Sequence, residues 1–141
     1  MITIRQILAH KGNRIVGISS QASVTEAART MSEHGVGSLA VLESNVIVGL
    51  VTERDLVLCL ALRGSDAANA TTATTMQSFV DIDVDDELMD GLRVMTNRRR
   101  RHLLVRQDGR CVGIVSIGDL AKAIHEEQLG TISSLCQYIT S

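Results

Sequence analysis

The spacing of apolar and polar positions along the chain predicts the order strand, helix, strand, strand, helix. The apolar run RIVGIS predicts a strand, and Val24, Ala28 and Met31, spaced four and three residues apart, predict a helix after it. Ser23 and Glu26 form a capping-box pattern at the start of that helix. SLAVLE and VIVGLV predict two strands joined by a tight turn, and DLVLCLALR predicts a closing helix. The first half of the chain therefore predicts one β-α-β-β-α unit.

The second half of the chain repeats this plan. Residues 79–84 predict a strand, and Leu88, Leu92 and Met95 form the next helical stripe. HLLVR and CVGIVS predict two strands around an Asp-Gly hairpin turn. DLAKAIHEEQL, which begins at Asp119, predicts the closing helix. The chain therefore predicts two units of the same kind.

The remaining segments are short. We expect a helix on IRQILAH near the N-terminus and a loop between the two units, where Ala, Thr and Asn are frequent. A helical apolar face in the tail is predicted from Ile132, Leu135, Tyr138 and Ile139. The predicted division is a first unit with the N-terminal helix over 1–64, a linker over 65–75, a second unit over 76–128 and a tail helix over 129–141.

The two units are an internal repeat. A shift of 64 positions, from Gly49 to Gly113, places GLVTERDL on GIVSIGDL, and the match runs without a gap back to Val16 on Val80. A fixed period sets the architecture. Because each copy has only about 60 residues, a size at which a lone core is marginal, we expect the copies to fold against each other. The predicted fold class is α+β.

Composition excludes several classes of protein. The chain is 45% hydrophobic, which suits a globular core, but has 1% aromatic residues and no proline. Its net charge of −2 gives no field that favours nucleic acid or an anionic membrane. The apolar runs have strand length, so we expect no membrane span. The N-terminus lacks a signal-peptide pattern, and Cys59, Cys111 and Cys136 lack metal or disulfide spacing, so we expect a cytoplasmic protein.

A hydroxyl and an aspartate stand where a strand meets a helix in both copies. They are Thr52 and Asp55 in the first copy, and Ser116 and Asp119 in the second. A helix N-terminus suits phosphate, and an aspartate there can accept two hydrogen bonds from neighbouring hydroxyls such as those of a ribose. The same residue types are also ordinary helix caps. Because both residues occur in both copies, a binding role is weighed beside plain capping.

Four arginines, residues 98–101, precede His102 and have no counterpart in the first copy. Guanidinium groups suit a phosphate clamp near the Ser116–Asp119 end, and we expect one or two of them to point inward. Two alternatives stay open: basic residues also suit a helix C-terminus, and an arginine run also suits nucleic acid. The negative net charge and the scarcity of aromatic rings count against nucleic acid.

No pattern indicates catalysis or a metal. The histidines are scattered, and no nucleophile elbow, Walker-type loop or GxGxxG motif is present. Asp85, Asp86 and Glu87 suit a helix start better than a metal site. We therefore expect no catalytic residues, no metal and no required cofactor.

The paired GLVTERDL and GIVSIGDL motifs, with RRRRHLLV in the second copy, resemble those of a tandem cystathionine β-synthase (CBS) domain pair, or Bateman module. The chain is most similar to stand-alone bacterial CBS-pair proteins. The resemblance implies two units packed sheet to sheet about a pseudo-twofold axis, with clefts for adenosine-containing ligands such as AMP, ADP, ATP, NAD or S-adenosylmethionine. It implies a non-enzymatic regulatory sensor, commonly a homodimer, which acts on an unidentified protein in trans.

The resemblance also implies roles for particular residues. Asp55 and Asp119 would hold ribose hydroxyls, and Thr52 and Ser116 would lie beside ribose and phosphate. Arg101, His102 and Arg54 would meet phosphates. Apolar residues against adenine and small groups lining the first-copy cleft complete the predicted set: Ile18, Leu50, Ile82, Ile114, Val36, Gly37 and Ser38.

The chain departs from the family pattern at a few places. Leu104 stands where many members have proline, and Ile117 and Gly118 replace Glu53 and Arg54 of the first motif. These differences make the two predicted clefts chemically unequal. The alternative to a sensor is a purely structural dimerisation module with unused clefts; an enzyme fits the sequence least.

Overall fold

The computed structural model describes residues 1–12 and 14–140, and divides into two units. The first-copy unit is Ile15–Phe79, and the second-copy unit combines Met1–Arg14 with Val80–Ser141. The elements of the first-copy unit are β1 Gly17–Ser19, α2 Val24–His34, β2 Ser38–Glu43, β3 Val46–Thr52, α3 Glu53–Arg63, a 3-10 helix Gly64–Asn69 and α4 Thr72–Thr75. Those of the second-copy unit are α1 Ile4–Lys11, β4 Asp81–Asp83, α5 Leu88–Arg98, β5 His102–Gln107, β6 Arg110–Ser116 and α6 Ile117–Thr140.

Each unit contains a three-stranded sheet of the same topology. The orders are β1-β2-β3 and β4-β5-β6, with the first pair parallel and the second antiparallel. The register also repeats, since Ile18 pairs with Val41 and Ile82 pairs with Val105. The antiparallel pairing shifts directly after Val41 and after Val105. The predicted α+β class with two copies of one plan is confirmed.

Two tight turns have the backbone conformation that their residues favour. Ser44 and Asn45 have φ of 50° and 64°, and Asp108 and Gly109 have φ of 51° and 78°. Two consecutive residues with positive φ match the right-handed twist of the flanking strands in a hairpin. The predicted hairpins are therefore present in both copies.

The helix starts differ slightly from the sequence prediction. Helix α3 begins at Glu53, because Thr52 at the end of β3 is its N-cap and Asp55 is its third residue. Helix α6 begins at Ile117, so Asp119 lies inside its first turn. Ser23 caps α2 as predicted, although Ala27 rather than Ala28 faces the core.

The core of each unit is aliphatic and lies between the sheet and its helices. Leu39, Val41 and Val51 are fully buried in the first-copy unit. Leu103, Val105 and Val115 are their counterparts in the second-copy unit. The second core is larger because α1 adds Ile4, Ile7 and Leu8 to it.

Each copy is completed by the segment that precedes the other copy in the chain. We call residues 2–11 and 70–77 the leading segments. The first packs on the second copy, where the N–H of Ile4 donates to the Asp86 carbonyl at 2.9 Å. The second packs on the first copy, where the N–H of Thr72 donates to the Ala22 carbonyl at 2.8 Å. The predicted division, with the N-terminal helix in unit 1–64, did not contain this exchange.

Two further differences concern the linker and the tail. The predicted loop over 65–75 contains the 3-10 helix and α4. The predicted tail helix over 129–141 continues α6 without a break. Leu135 and Ile139 of the predicted apolar face are exposed, and the side chains of Ile132 and Tyr138 lie outside the described residues.

Candidate functional site

The two hydroxyl–aspartate pairs lie at equivalent helix N-termini. In the first-copy unit, Asp55 Oδ2 accepts from the Thr52 N–H at 2.8 Å and from Thr52 Oγ1 at 2.9 Å. In the second-copy unit, Asp119 Oδ2 accepts from the Ser116 N–H at 2.8 Å, and Ser116 Oγ accepts from the Asp119 N–H at 3.1 Å. These bonds satisfy backbone groups that a helix start leaves unpaired. The capping role weighed from the sequence is therefore present at both ends.

A leading segment reaches each aspartate. Gln77 Nε2 lies 2.9 Å from both Asp55 Oδ1 and Oδ2. Lys11 Nζ donates to Asp119 Oδ2 at 2.6 Å and to the Ile114 carbonyl at 2.6 Å. Leu50, the counterpart of Ile114, instead forms a two-way backbone bridge with Gln77. A lysine in one copy and a glutamine in the other thus contact the equivalent aspartates.

The sequence alone does not reveal these two residues. They lie outside the stretch that repeats at a shift of 64, and the leading segments correspond at a shift of 68, as from Thr3 to Thr71, which places Lys11 on Phe79 and not on Gln77. Between residues 2–8 and 70–76, that threonine is the one identical position. The signal in the sequence is therefore too weak to pair the segments.

The surroundings of Asp119 lower its pKa. Partial burial raises the pKa of a carboxyl, but the hydrogen bonds from Lys11 and Ser116 and the charge of Lys11 together outweigh it. The pKa of Asp119 therefore lies below its usual value, and the group is ionised at neutral pH. The Asp119 side chain is 23% exposed and that of Lys11 is 35% exposed, so solvent still reaches this pair.

The middle strands bring the other predicted polar residues to these helix N-termini. Ser38 pairs with Thr52, and His102 pairs with Ser116. The carbonyl of Arg101 accepts from the N–H of Ile117 at 2.9 Å, so its backbone adjoins the start of α6. The side chain of Arg101 is exposed.

The first copy has Gly37 at the position of Arg101. The Gly37 carbonyl accepts from the N–H of Glu53 at 3.1 Å. Val36 and Gly37 also line an open cavity of about 540 Å³ between the end of α2 and the start of α3. Thr52, Arg54 and Asp55 are not among its lining residues, so the predicted first-copy residues do not all share one cavity.

The predicted adenine-facing residues are unequally exposed. Ile82 is 4% exposed and belongs to the core, whereas its counterpart Ile18 is half-buried at the edge of its core. Leu50 and Ile114 are 3% and 8% exposed. Both lie near the ends of β3 and β6, and their contact with adenine stays a prediction.

The described residues contain no group of three or more His, Cys, Asp or Glu placed to hold a metal ion. In the part of the chain that the structure describes, no helix is long and apolar enough to cross a bilayer. Cys59 is buried, and burial raises the pKa of the half-buried Cys111 thiol. A raised pKa disfavours the thiolate, so Cys111 has the character of a packing residue.

The repeated units, each with a capped aspartate at a strand–helix junction, define a tandem module. A family model described as CBS domain matches residues 4–62 and 75–126. The chain therefore belongs to the CBS-domain family, and no catalytic family is indicated.

Known proteins resemble the chain over most of its length. A CBS-domain containing protein from Agrobacterium tumefaciens has a structure with a TM-score of 0.83 and 32% identity, covering 86% of this chain and 92% of that one. Hypoxic response protein 1 of Mycobacterium tuberculosis is 30% identical, covering 92% of this chain and 90% of that protein. The likeness thus extends to whole proteins of similar size.

Two more distant structures contain adenosine compounds. A CBS domain protein from Pyrobaculum aerophilum, complexed with AMP, has a TM-score of 0.73 and 22% identity, covering 84% of this chain and 89% of that one. A CBS domain pair in complex with 5′-methylthioadenosine and S-adenosylmethionine has a TM-score of 0.78 and 21% identity, covering 90% and 98%. At these identities the likeness establishes a shared fold.

Proposed function

We propose that this protein is a regulatory sensor that binds an adenosine-containing nucleotide of the AMP, ADP, ATP or NAD type. The observation that carries the proposal is the ionised aspartate at a helix N-terminus, with an arginine beside it, in a CBS pair. A carboxylate accepts hydrogen bonds from two ribose hydroxyls, and a helix N-terminus with a guanidinium suits phosphate. Adenosine compounds bound to relatives of the same fold support this ligand class.

Three side chains of the second copy bind different parts of the nucleotide at the N-terminus of α6. Asp119 accepts from the ribose, Ser116 lies beside ribose and phosphate, and Arg101 contacts the phosphate. The equivalent first-copy residues are Asp55 and Thr52, with Arg54 as the cation. No bond is made or broken in this scheme, so the protein acts by binding alone.

Regulation requires the ligand to prefer one of two conformations. The bound state would then change the affinity for a partner protein in trans, or for a second copy of the chain. We place the protein in the cytoplasm, because its cysteines lack the spacing of a disulfide framework. The resident ligand is regulatory, and no other cofactor is required.

A homodimer is part of the proposal. Helix α3 leaves an apolar surface exposed, formed by Val57, Leu58, Leu60 and Leu62, with exposures between 54% and 77%. Large exposed apolar side chains grouped on one element indicate an interaction surface. A second copy of the chain covering this surface agrees with the dimer that the family resemblance implies.

Calorimetry with AMP, ADP, ATP, NAD and adenosine tests the sensor. We expect saturable binding by at least one nucleotide. Asp119→Ala and Arg101→Ala should each weaken it by roughly ten- to a hundredfold, since loss of a charged hydrogen bond costs about 1–3 kcal/mol. Arg110→Ala, which removes an exposed arginine at the far end of β6, is the control and should bind as wild type does.

The second candidate is a purely structural dimerisation module. The capping bonds of both aspartates favour it, because helix capping alone explains why each carboxylate is present. Binding of no nucleotide below millimolar concentration, with an unchanged melting temperature in all of them, would support this candidate over the sensor.

A further inference from the structure

We propose that the final side chain of each leading segment selects the copy that binds the nucleotide. The Gln77 amide donates to both oxygens of the Asp55 carboxylate. Lys11 instead donates to one oxygen of Asp119 and adds a positive charge. This inference rests on the proposed function and says which of the two equivalent ends is used. The helix N-terminus at Ser116–Asp119 binds a phosphate-bearing ligand, whereas the one at Thr52–Asp55 does not bind one while Gln77 covers Asp55.

The hydrogen bonds of Asp55 leave too few acceptor positions for both hydroxyls of a ribose. An ionised carboxylate has about four acceptor positions. Oδ2 of Asp55 receives the Thr52 N–H, the Thr52 hydroxyl and Gln77 Nε2, and Oδ1 also receives Gln77 Nε2, all within 2.9 Å. One acceptor position remains on Oδ1, whereas a ribose diol needs two, so a diol can bind Asp55 only after the Gln77 amide has moved away.

Asp119 has a different distribution of partners. Its hydrogen bonds with the described residues, from the Ser116 N–H and from Lys11 Nζ, both go to Oδ2. Oδ1 therefore keeps its acceptor positions for an incoming hydroxyl. The side chain is 23% exposed, which allows a ligand to reach it.

The charges at the two helix N-termini also favour nucleotide binding at the start of α6. The first turn of α3 carries two acidic residues, Glu53 and Asp55, while that of α6 carries Asp119, which Lys11 pairs. Arg101 adds a second cation at the start of α6, against Arg54 at the start of α3. An anionic phosphate group is therefore repelled less at α6 than at α3.

Gln77 is well suited to a test by substitution. Its backbone makes the two-way bridge with Leu50, with N···O distances of 2.9 Å and 2.8 Å, and Gln77→Ala keeps that bridge. The substitution removes the amide that covers Asp55. Gln21→Ala, at an exposed position in the same unit, is the matched control.

The experiment is calorimetric titration of AMP into wild type, Gln77→Ala, Gln21→Ala and Asp119→Ala, each checked for an unchanged circular dichroism spectrum. We expect one AMP per chain in wild type and Gln21→Ala, and two in Gln77→Ala. Asp119→Ala should bind the single wild-type equivalent roughly ten- to a hundredfold more weakly. Two equivalents in wild type, or one equivalent in Gln77→Ala, overturn the inference while the sensor function stands.

A second arm compares AMP with adenosine, which lacks the phosphate. Lys11→Met should weaken the binding of AMP about tenfold and that of adenosine less than about threefold, because the positive charge beside Asp119, which attracts an anionic phosphate, is lost. Lys122→Met, at an exposed site on α6, should change neither. If the binding of AMP and that of adenosine are weakened equally, Lys11 does not select for phosphate. Absence of binding in every protein overturns the sensor function, and the inference with it.

Discussion

The Lys11–Asp119 pair is the residue-scale feature that most distinguishes the two copies. The folded-state pKa of Asp119 lies below its value of about 3.9 in an unfolded chain. A carboxyl of this kind stabilises the fold above the unfolded pKa, and the stabilisation is lost as pH falls through the folded pKa. The pair therefore contributes at neutral pH and not in strong acid.

Lys11→Met should lower the free energy of unfolding at pH 7 by up to about 1 kcal/mol, as expected for a partly exposed ion pair. At a pH well below the folded-state pKa of Asp119, wild type and variant should have nearly equal stability. Urea denaturation at both pH values measures this difference, with Lys122→Met as the control. A loss of the same size at both pH values would mean that Lys11 stabilises the fold through packing and its bond to the Ile114 carbonyl, and not through Asp119.

Residue-scale prediction from sequence reached the aspartates but not their partners. Asp55 and Asp119 were found because they repeat at one shift and stand at predicted strand–helix junctions. Lys11 and Gln77 were not found, because they lie 108 and 22 residues from the aspartates that they contact, separations that no helical or strand period relates. A hydrogen bond over more than a hundred residues, as between Lys11 and Asp119, leaves no periodic pattern in the sequence.

At the scale of elements, two equivalent glycines have unequal neighbours. A Cβ on Gly49 would lie 2.8 Å from the Gln77 carbonyl oxygen, which is backbone, whereas one on Gly113 would lie 2.8 Å from a Leu8 methyl, which can turn. Gly49→Ala should therefore destabilise its unit by about 2 kcal/mol or more, and Gly113→Ala by roughly 1 kcal/mol. Thermal unfolding of both variants checks the order. The reverse order would contradict the packing of the second leading segment on the first copy.

The ends of α2 and α5 give a second element-scale prediction. Gly35 ends α2 with φ 63°, and Arg99 ends α5 in the same left-handed conformation with φ 54°. Glycine has no steric cost there, so Arg99→Gly should raise the free energy of unfolding by about 1 kcal/mol. Arg98→Gly, one residue earlier inside the helix, should lower it by about the same amount. Equal losses in both variants would contradict the assigned helix end.

Most elements were predictable because their signals are local. The bounds of β2 and the caps of α2 follow from SLAVLE and from Ser23 and Gly35. The starts of α3 and α6 were placed two residues late, because Thr52 and Ser116 end a strand and cap a helix at once. The exchange of leading segments was missed, since α1 has an apolar face that fits either copy by pattern alone.

For the whole molecule, the proposed dimer depends on the exposed face of α3. Leu58 and Leu62, 54% and 77% exposed, lie one turn apart on this helix. Replacing both with Lys should convert a dimer to a monomer, measured by light scattering after gel filtration. Val46→Lys, at an exposed apolar position in β3, is the control and should stay dimeric. If the double variant remains a dimer, the interface does not lie on this face of α3.

Binding of an adenosine nucleotide at one of the two equivalent helix N-termini is the property that makes this protein a sensor. Native mass spectrometry tests it most directly, because it reports the mass of the assembly and of any bound ligand together. We expect a dimer that gains one nucleotide mass per chain when AMP, ATP or NAD is added, and Asp119→Ala protein in which a smaller fraction of chains gains that mass at the same nucleotide concentration. A wild-type protein that gains no nucleotide mass at millimolar concentrations of all three would contradict the account.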